Sequence, residues 1–181
     1  MKKYREYPEE TAFYFTTTTI VNWIPVFQND RYFQIIIDSL KYCQENKGLA
    51  IHGYVIMPTH LHLITSNEEN ILLKDIMRDF KHFTSNKIIQ YLEEENHYYL
   101  ELFKQAAEVR FGDQKYKVWK NEYHPVALTS VKWFVEKLSY IHENPVRKGF
   151  VECPEYWKYS SARNWILDDH SIIRIQLLDI L

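Results

Sequence analysis

Two histidines, His60 and His62, sit two residues apart in an apolar run, HLHLI. In a strand, successive side chains alternate between faces, so both rings would point the same way. Two imidazoles on one face can hold one cation together. The plainer reading is a pair of surface or hydrogen-bonded histidines. The apolar neighbours make two polar rings costly unless they have a use. A second candidate lies in Ser139-Tyr140-Ile141-His142-Glu143-Asn144-Pro145. At ~100° per residue, Val131, Phe134, Val135, Leu138 and Ile141 share one side of a helix. Tyr140 and Asn144 lie nearly opposite, with Trp133 and Lys137. Being i and i+4, a phenol and an amide oxygen can face one point. The alternative is an exposed tyrosine and an asparagine that only ends the helix before Pro145.

Other chemistries are excluded. A third histidine at position 64, as a histidine-triad hydrolase would want, is replaced by Ile64. There is no H-E-x-x-H and no glycine-rich loop ahead of a helix. Cys43 and Cys153 are single and distant, which rules out a disulfide framework, a Cys-rich zinc module and the zinc-deaminase pattern. A net charge of −2, from 22 Lys and Arg against 24 Asp and Glu, advertises no strong attraction to nucleic acid. It is compatible with an enzyme gripping a few nucleotides in one basic groove. Aromatic residues make up 16% of the chain, and such rings can stack on unpaired bases or fill core and rim.

These residues need a scaffold to position them. Thr11–Val21, Leu49–Ile56, His60–Ser66 and Lys115–Trp119 read as strands, the middle two joined at Met57-Pro58-Thr59 as a hairpin. Asn29 or Asp30 caps a helix to about Glu45, stopped at Asn46-Lys47-Gly48. A long helix opens at Asn70 or Ile71 and runs to about Glu94, and it carries Lys74, Arg78 and Lys81 as a basic stripe. Thr129 or Ser130 caps the helix that ends at Asn144-Pro145. A final helix begins near Ser160. The order β-α-β-β-α-β-α predicts an α+β, ferredoxin-like fold. Its sheet is mostly antiparallel, its helices pack on one face, and a C-terminal helical extension follows. The 181 residues fit a single domain, with about 150–181 as that extension. No apolar run is long enough to cross a bilayer and no secretory h-region is visible, so a cytoplasmic protein is expected.

Two stretches together carry a resemblance. GYVIMPTHLHLI (53–64) followed by YIHENPVRKGFVECPEYWKYSSARNW (140–165) resembles the single-tyrosine HUH transposases, and among them the REP-associated tyrosine transposases. In that group a strand carries His-hydrophobic-His and a later helix carries a nucleophilic tyrosine. A phrase like Y-I-H-x-N-P-V-R follows, then a proline, an aromatic pair and Ser-Ser. The similarity runs from the Tyr14-Phe15-Thr16 strand to Ser160-Ser161. It implies His60 and His62 as metal ligands and Tyr140 as nucleophile. Asn144 stands where related enzymes usually have a glutamine as third ligand. Thr59 stands where the family often has asparagine.

The resemblance implies a metal-dependent endonuclease and strand transferase acting on single-stranded or hairpin DNA. Tyr140 would attack a phosphodiester to give a 5′-phosphotyrosine and a free 3′-OH, conserving the bond energy for rejoining. A phenol ionises near ~10 in water, so it needs activation or a strong electrophile. The mixed nitrogen and oxygen ligand set suits Mg²⁺ or Mn²⁺, the latter the better partner for imidazole. Lys74, Arg78, Lys81, Arg147 and Lys148 would hold backbone phosphates. No membrane partner is implied, and a homodimer exchanging the tyrosine helix stays open. Two alternatives remain: a domesticated hairpin-binding protein that does not cut, and a phosphodiesterase in which water attacks.

Overall fold

The computed structural model describes residues 5–6, 12–68, 71–108 and 115–179. Four strands form the sheet that carries both histidines. They are β2 (Phe13–Thr19), β3 (Leu49–Met57), β4 (His60–Asn67) and β5 (Val126–Leu128), in the order β3-β4-β2-β5. Every pairing within it is antiparallel. Between them run α1 (Asp30–Asn46), α2 (Leu73–Glu94) and α3 (Tyr99–Glu108), and after β5 come α4 (Val131–Arg147) and the short α5 (Ala162–Leu167). A two-residue β1 (Arg5–Glu6) pairs in parallel with β6 (Leu178–Asp179). The strand order and the α1 and α2 crossovers are those of a ferredoxin-like α+β fold. Among the described residues, no helix is long and apolar enough to cross a membrane.

Local chemistry sets the helix ends. Asn29 accepts from the Tyr32 backbone N–H, and Ser130 accepts from that of Trp133, so both are N-caps. The expectation that α4 ends at Asn144-Pro145 is corrected. Pro145 lacks only one N–H, and the helix continues to Arg147. It stops where Gly149 adopts φ +73°. There the Gly149 N–H bonds to Val146 O and the Phe150 N–H to Pro145 O, which is a Schellman closure. Asn144 therefore keeps helical backbone, one turn beyond Tyr140.

The helices cover both faces of the sheet rather than one. Leu61, Leu63, Tyr54 and Ile56 pack with Ile36, Leu40, Ile76 and Phe80 of α1 and α2. Residues of alternate parity, Phe13, Phe15, Val55, Met57 and Ile64, pack with Phe134, Leu138 and Ile141 of α4. Amphipathic spacing identifies a helix's apolar side but not which sheet face receives it, so α4 lies opposite to expectation. Each large side chain buried there contributes about 1.5–3 kcal/mol. Gly53 lets α4 come close: a Cβ at that position would sit 2.7 Å from Leu138 Cδ1 and 3.0 Å from Ile141 Cδ1.

Two further expectations are corrected. The last sheet strand is Val126–Leu128, paired with Phe13–Phe15, and not Lys115–Trp119. The latter segment touches the same β2 edge only through an Ile20–Trp119 bridge, because its buried Val118 and Trp119 turn into the core beneath Phe27 and Phe80. Helix α3 was not anticipated. Thr11 and Asn70, offered as element starts, lie outside the described residues.

The close seat of α4 is open to test. Gly53→Val should lower stability by about 1–3 kcal/mol through overpacking, read from urea unfolding. An unchanged midpoint would contradict direct packing of α4 on β3.

Candidate active site

Strand β4 alternates as its sequence requires. Leu61 and Leu63 enter the α1 and α2 layer, while His60 and His62 face α4. Both rings are buried, at 8% and 5% exposure, and their centroids are 4.7 Å apart. Each is oriented by a threonine: Thr59 Oγ1 lies 2.9 Å from His60 Nδ1, and Thr17 Oγ1 lies 2.8 Å from His62 Nδ1. Thr17 stands directly across the β2–β4 ladder from His62. In the tautomer whose Nδ1–H donates to its threonine, each Nε2 presents a lone pair, the arrangement by which second partners prepare histidines for a metal. Thr59 thus supplies an oxygen to the ring that follows it.

Burial pushes the His60 imidazole down to about 4, with Lys148 adding repulsion. Burial likewise pushes His62 down to about 3, helped by His60, Lys137 and Arg147. Both rings are neutral near pH 7, the form that binds a cation.

Tyr140 meets this pair in the same chain. Its ring is edge-on to His62 with centroids 5.5 Å apart, and to Phe15 at 6.1 Å. Phe15 in turn stacks on His62 at 5.3 Å. Tyr140 is 41% exposed, so it lies at the mouth of the site with a buried imidazole behind it. Asn144, one turn on, is buried at 5% exposure.

Positive charge surrounds the phenol. The Arg147 guanidinium lies 4.6 Å from the Tyr140 ring centre, and its Nη2 donates to Tyr140 O. Lys137 Nζ lies 5.5 Å from the same ring. Sequence reasoning placed Lys137 on this helix face but gave it no role. Its i, i+3 spacing to Tyr140 was the available signal. Phe15 and Trp23, the latter edge-on to His60 at 5.8 Å, carried no such signal.

The structure thus brings together His60, His62, Tyr140, Arg147 and Lys148 around one face of the sheet, and Asn144 follows Tyr140 by one helical turn. It does not bring Lys74, Arg78 and Lys81 there. They line a separate groove of about 560 Å³ along α2. Arg78 is paired with Asp75 and Asp79. Lys81 donates to the carbonyls of Lys120 and Glu122, and burial lowers its pKa. Among the described residues, no three His, Cys, Asp or Glu are grouped to hold a metal, so a cation at the imidazole pair would need an amide, water or substrate oxygen.

His142 points away from the phenol, into a brace. Its Nε2 lies 2.8 Å from Ser161 Oγ, which also accepts from the Tyr54 N–H. Ser160 bridges to Val55, so the segment 159–161 extends the sheet beside β3 and ties α4 to it.

No protein-family model matches the chain. It is 24% identical over 164 residues, 89% of this chain and 85% of the relative, to a Haemophilus influenzae protein named as a REP-associated tyrosine transposase. In fold it is similar, with a TM-score of 0.64, to the solved structure of a REP-associated tyrosine transposase bound to a REP hairpin. That match is 18% identical and covers 100% of this chain and 94% of the other.

The brace gives a test. Ser161→Ala leaves His142 and the Tyr54 N–H unpaired in the interior and should cost about 1–3 kcal/mol in chemical denaturation. A loss below a few tenths would mean the Ser161 hydroxyl does not hold α4.

Proposed function

The chain groups with the REP-associated tyrosine transposase-like proteins by sequence and fold, and on that premise we propose that it nicks and rejoins single-stranded DNA beside hairpins through Tyr140. The observation that carries the reading is the contact of the Tyr140 and His62 rings at 5.5 Å within one chain. A nucleophile and a cation-binding pair then serve one phosphate, and no second subunit is needed to complete the set.

The residues fit a divalent ion. His60 and His62 offer neutral imidazoles with threonine-anchored Nδ1 atoms, and Asn144, one helical turn beyond Tyr140, would be the third ligand. Mg²⁺ or Mn²⁺ would supply Lewis-acid polarisation of a non-bridging phosphate oxygen. The chain does the rest. Tyr140 Oη attacks phosphorus as the phenol gives up its proton. The Oη–P bond forms and the P–O3′ bond breaks, leaving a 5′-phosphotyrosine, while the departing 3′-oxygen takes up a proton. Attack by a 3′-OH reverses the step and joins strands. Lys137, Arg147 and Lys148 place positive charge where the phosphate and its developing charge would lie. Phe15 and the aromatic edge of His62 fix the phenol ring from behind. In the groove along α2, Lys74 is the candidate for backbone phosphates farther along the DNA.

Incubation with labelled hairpin DNA bearing unpaired tails and Mn²⁺, followed by a denaturing gel, tests the nucleophile. Tyr140→Phe should abolish the covalent adduct and leave hairpin binding intact; an adduct formed by the Phe variant would refute the assignment. The cation role is tested separately. His60→Ala or His62→Ala should remove cleavage, and Thr17→Val should weaken Mn²⁺ binding roughly 10- to 100-fold by loosening His62. Cleavage at an equal rate in excess EDTA would reject the cation.

A further inference from the structure

We propose that Trp23 is a fixed stacking platform for an unpaired base next to the scissile phosphate, with Lys120 holding the adjoining backbone phosphate. This rests on the nuclease reading and adds a residue to its substrate path. Trp23 is 54% exposed and stands at the edge of the imidazole pair, 5.8 Å from the His60 ring. Asn22 and Trp23 both have left-handed backbone, with φ 53° and 55°. A bulky aromatic residue seldom takes that conformation, and where it persists the surroundings enforce it for a purpose.

Here the enforcement is visible. Ile20 N–H bonds to Thr59 O, Val21 N–H to Val118 O, and Lys120 N–H to Thr19 O. The turn is thus clamped between the residue preceding His60 and the 118–120 segment. The result is an indole presented to solvent on a rigid mount beside the site. Lys120 Nζ lies 4.7 Å from the indole centre. Lys120 also lines the α2 groove that holds Lys74, Arg78 and Lys81, so the platform joins the imidazole pair to the basic groove. An exposed aromatic face with an adjacent cation is the arrangement that stacks bases without regard to sequence. It accounts for a role for the α2 groove on a path that begins at His60.

The test uses the full chain carrying Tyr140→Phe, so that bound DNA stays intact. A hairpin with unpaired tails is first selected from a randomised library against that chain, then binding is measured by fluorescence anisotropy. Trp23→Gly should weaken binding roughly 5- to 100-fold with an unchanged salt slope, since a neutral ring is lost. Glycine suits the left-handed backbone, so the melting temperature should not fall. Trp23→Tyr should retain most of the affinity. Lys120→Gln should reduce the salt slope by about one. An abasic site beside the cleaved phosphate should weaken binding to the chain with Trp23 and have no further effect on Trp23→Gly. Equal affinity of the Trp23→Gly chain, or additive losses with the abasic DNA, would overturn the platform alone. A library that yields no bound DNA would overturn the nuclease reading and the platform with it.

Discussion

The seat of α4 on the β4 face of the sheet determines whether this protein has a site at all. Phe134, Leu138 and Ile141 fill the layer against Phe13, Phe15, Val55 and Ile64, and the missing side chain at Gly53 sets how near the helix can come. Tyr140 adjoins Ile141 on the helix, and its direction is fixed once Ile141 is buried. A rotation of one residue along α4 would swing the phenol by ~100° and away from His62. The Ser161–His142 brace and the Gly149 closure hold the C-terminal end of the same helix. Apolar packing, a single buried hydroxyl and one left-handed glycine therefore aim a polar group that makes no packing contribution comparable to theirs.

The second consequence concerns the imidazoles. Placing α4 over β4 buries His60 and His62, which keeps them neutral, and the strand's own neighbours Thr17 and Thr59 supply the oxygens that orient them. Burial alone would leave two costly polar rings. Burial with Nδ1 atoms beside threonine oxygens, and with three cations just outside, gives the polar surroundings on which the proposed cation and phosphate roles rest. The overall charge of −2 hides this, because Lys137, Arg147 and Lys148 are gathered at one place.

Much of this was legible from residue order. The two-residue periodicity of HLHLI placed both histidines on one face, and the cap pairs Asn29 or Asp30 and Thr129 or Ser130 marked two helix starts, where Asn29 and Ser130 are the caps. The i, i+4 relation set Tyr140 and Asn144 one turn apart on α4, and the apolar spacing that includes Leu138 and Ile141 marked the side that packs on the sheet. What was not legible depended on partners distant in sequence. Val126–Leu128 is a strand because Phe13–Phe15 offers it an edge, whereas the stronger alternating pattern at Lys115–Trp119 is drawn into the core by Val118 and Trp119. Lys81 looked like a free phosphate contact on a helical stripe, yet its ammonium is spent on two carbonyls of a loop 39 and 41 residues away. Asp75 and Asp79 beside Arg78 were a local sign of neutralisation that spacing alone did allow.

Convergence of imidazoles and phenol on one cation is tested most directly by adding substoichiometric Mn²⁺ to protein with isotope-labelled histidine and tyrosine rings and following paramagnetic broadening by NMR. The resonances of His60, His62 and Tyr140 should broaden together and first, while Tyr98 and Tyr156 stay sharp. Broadening centred elsewhere, or of the histidines without Tyr140, would contradict a shared site.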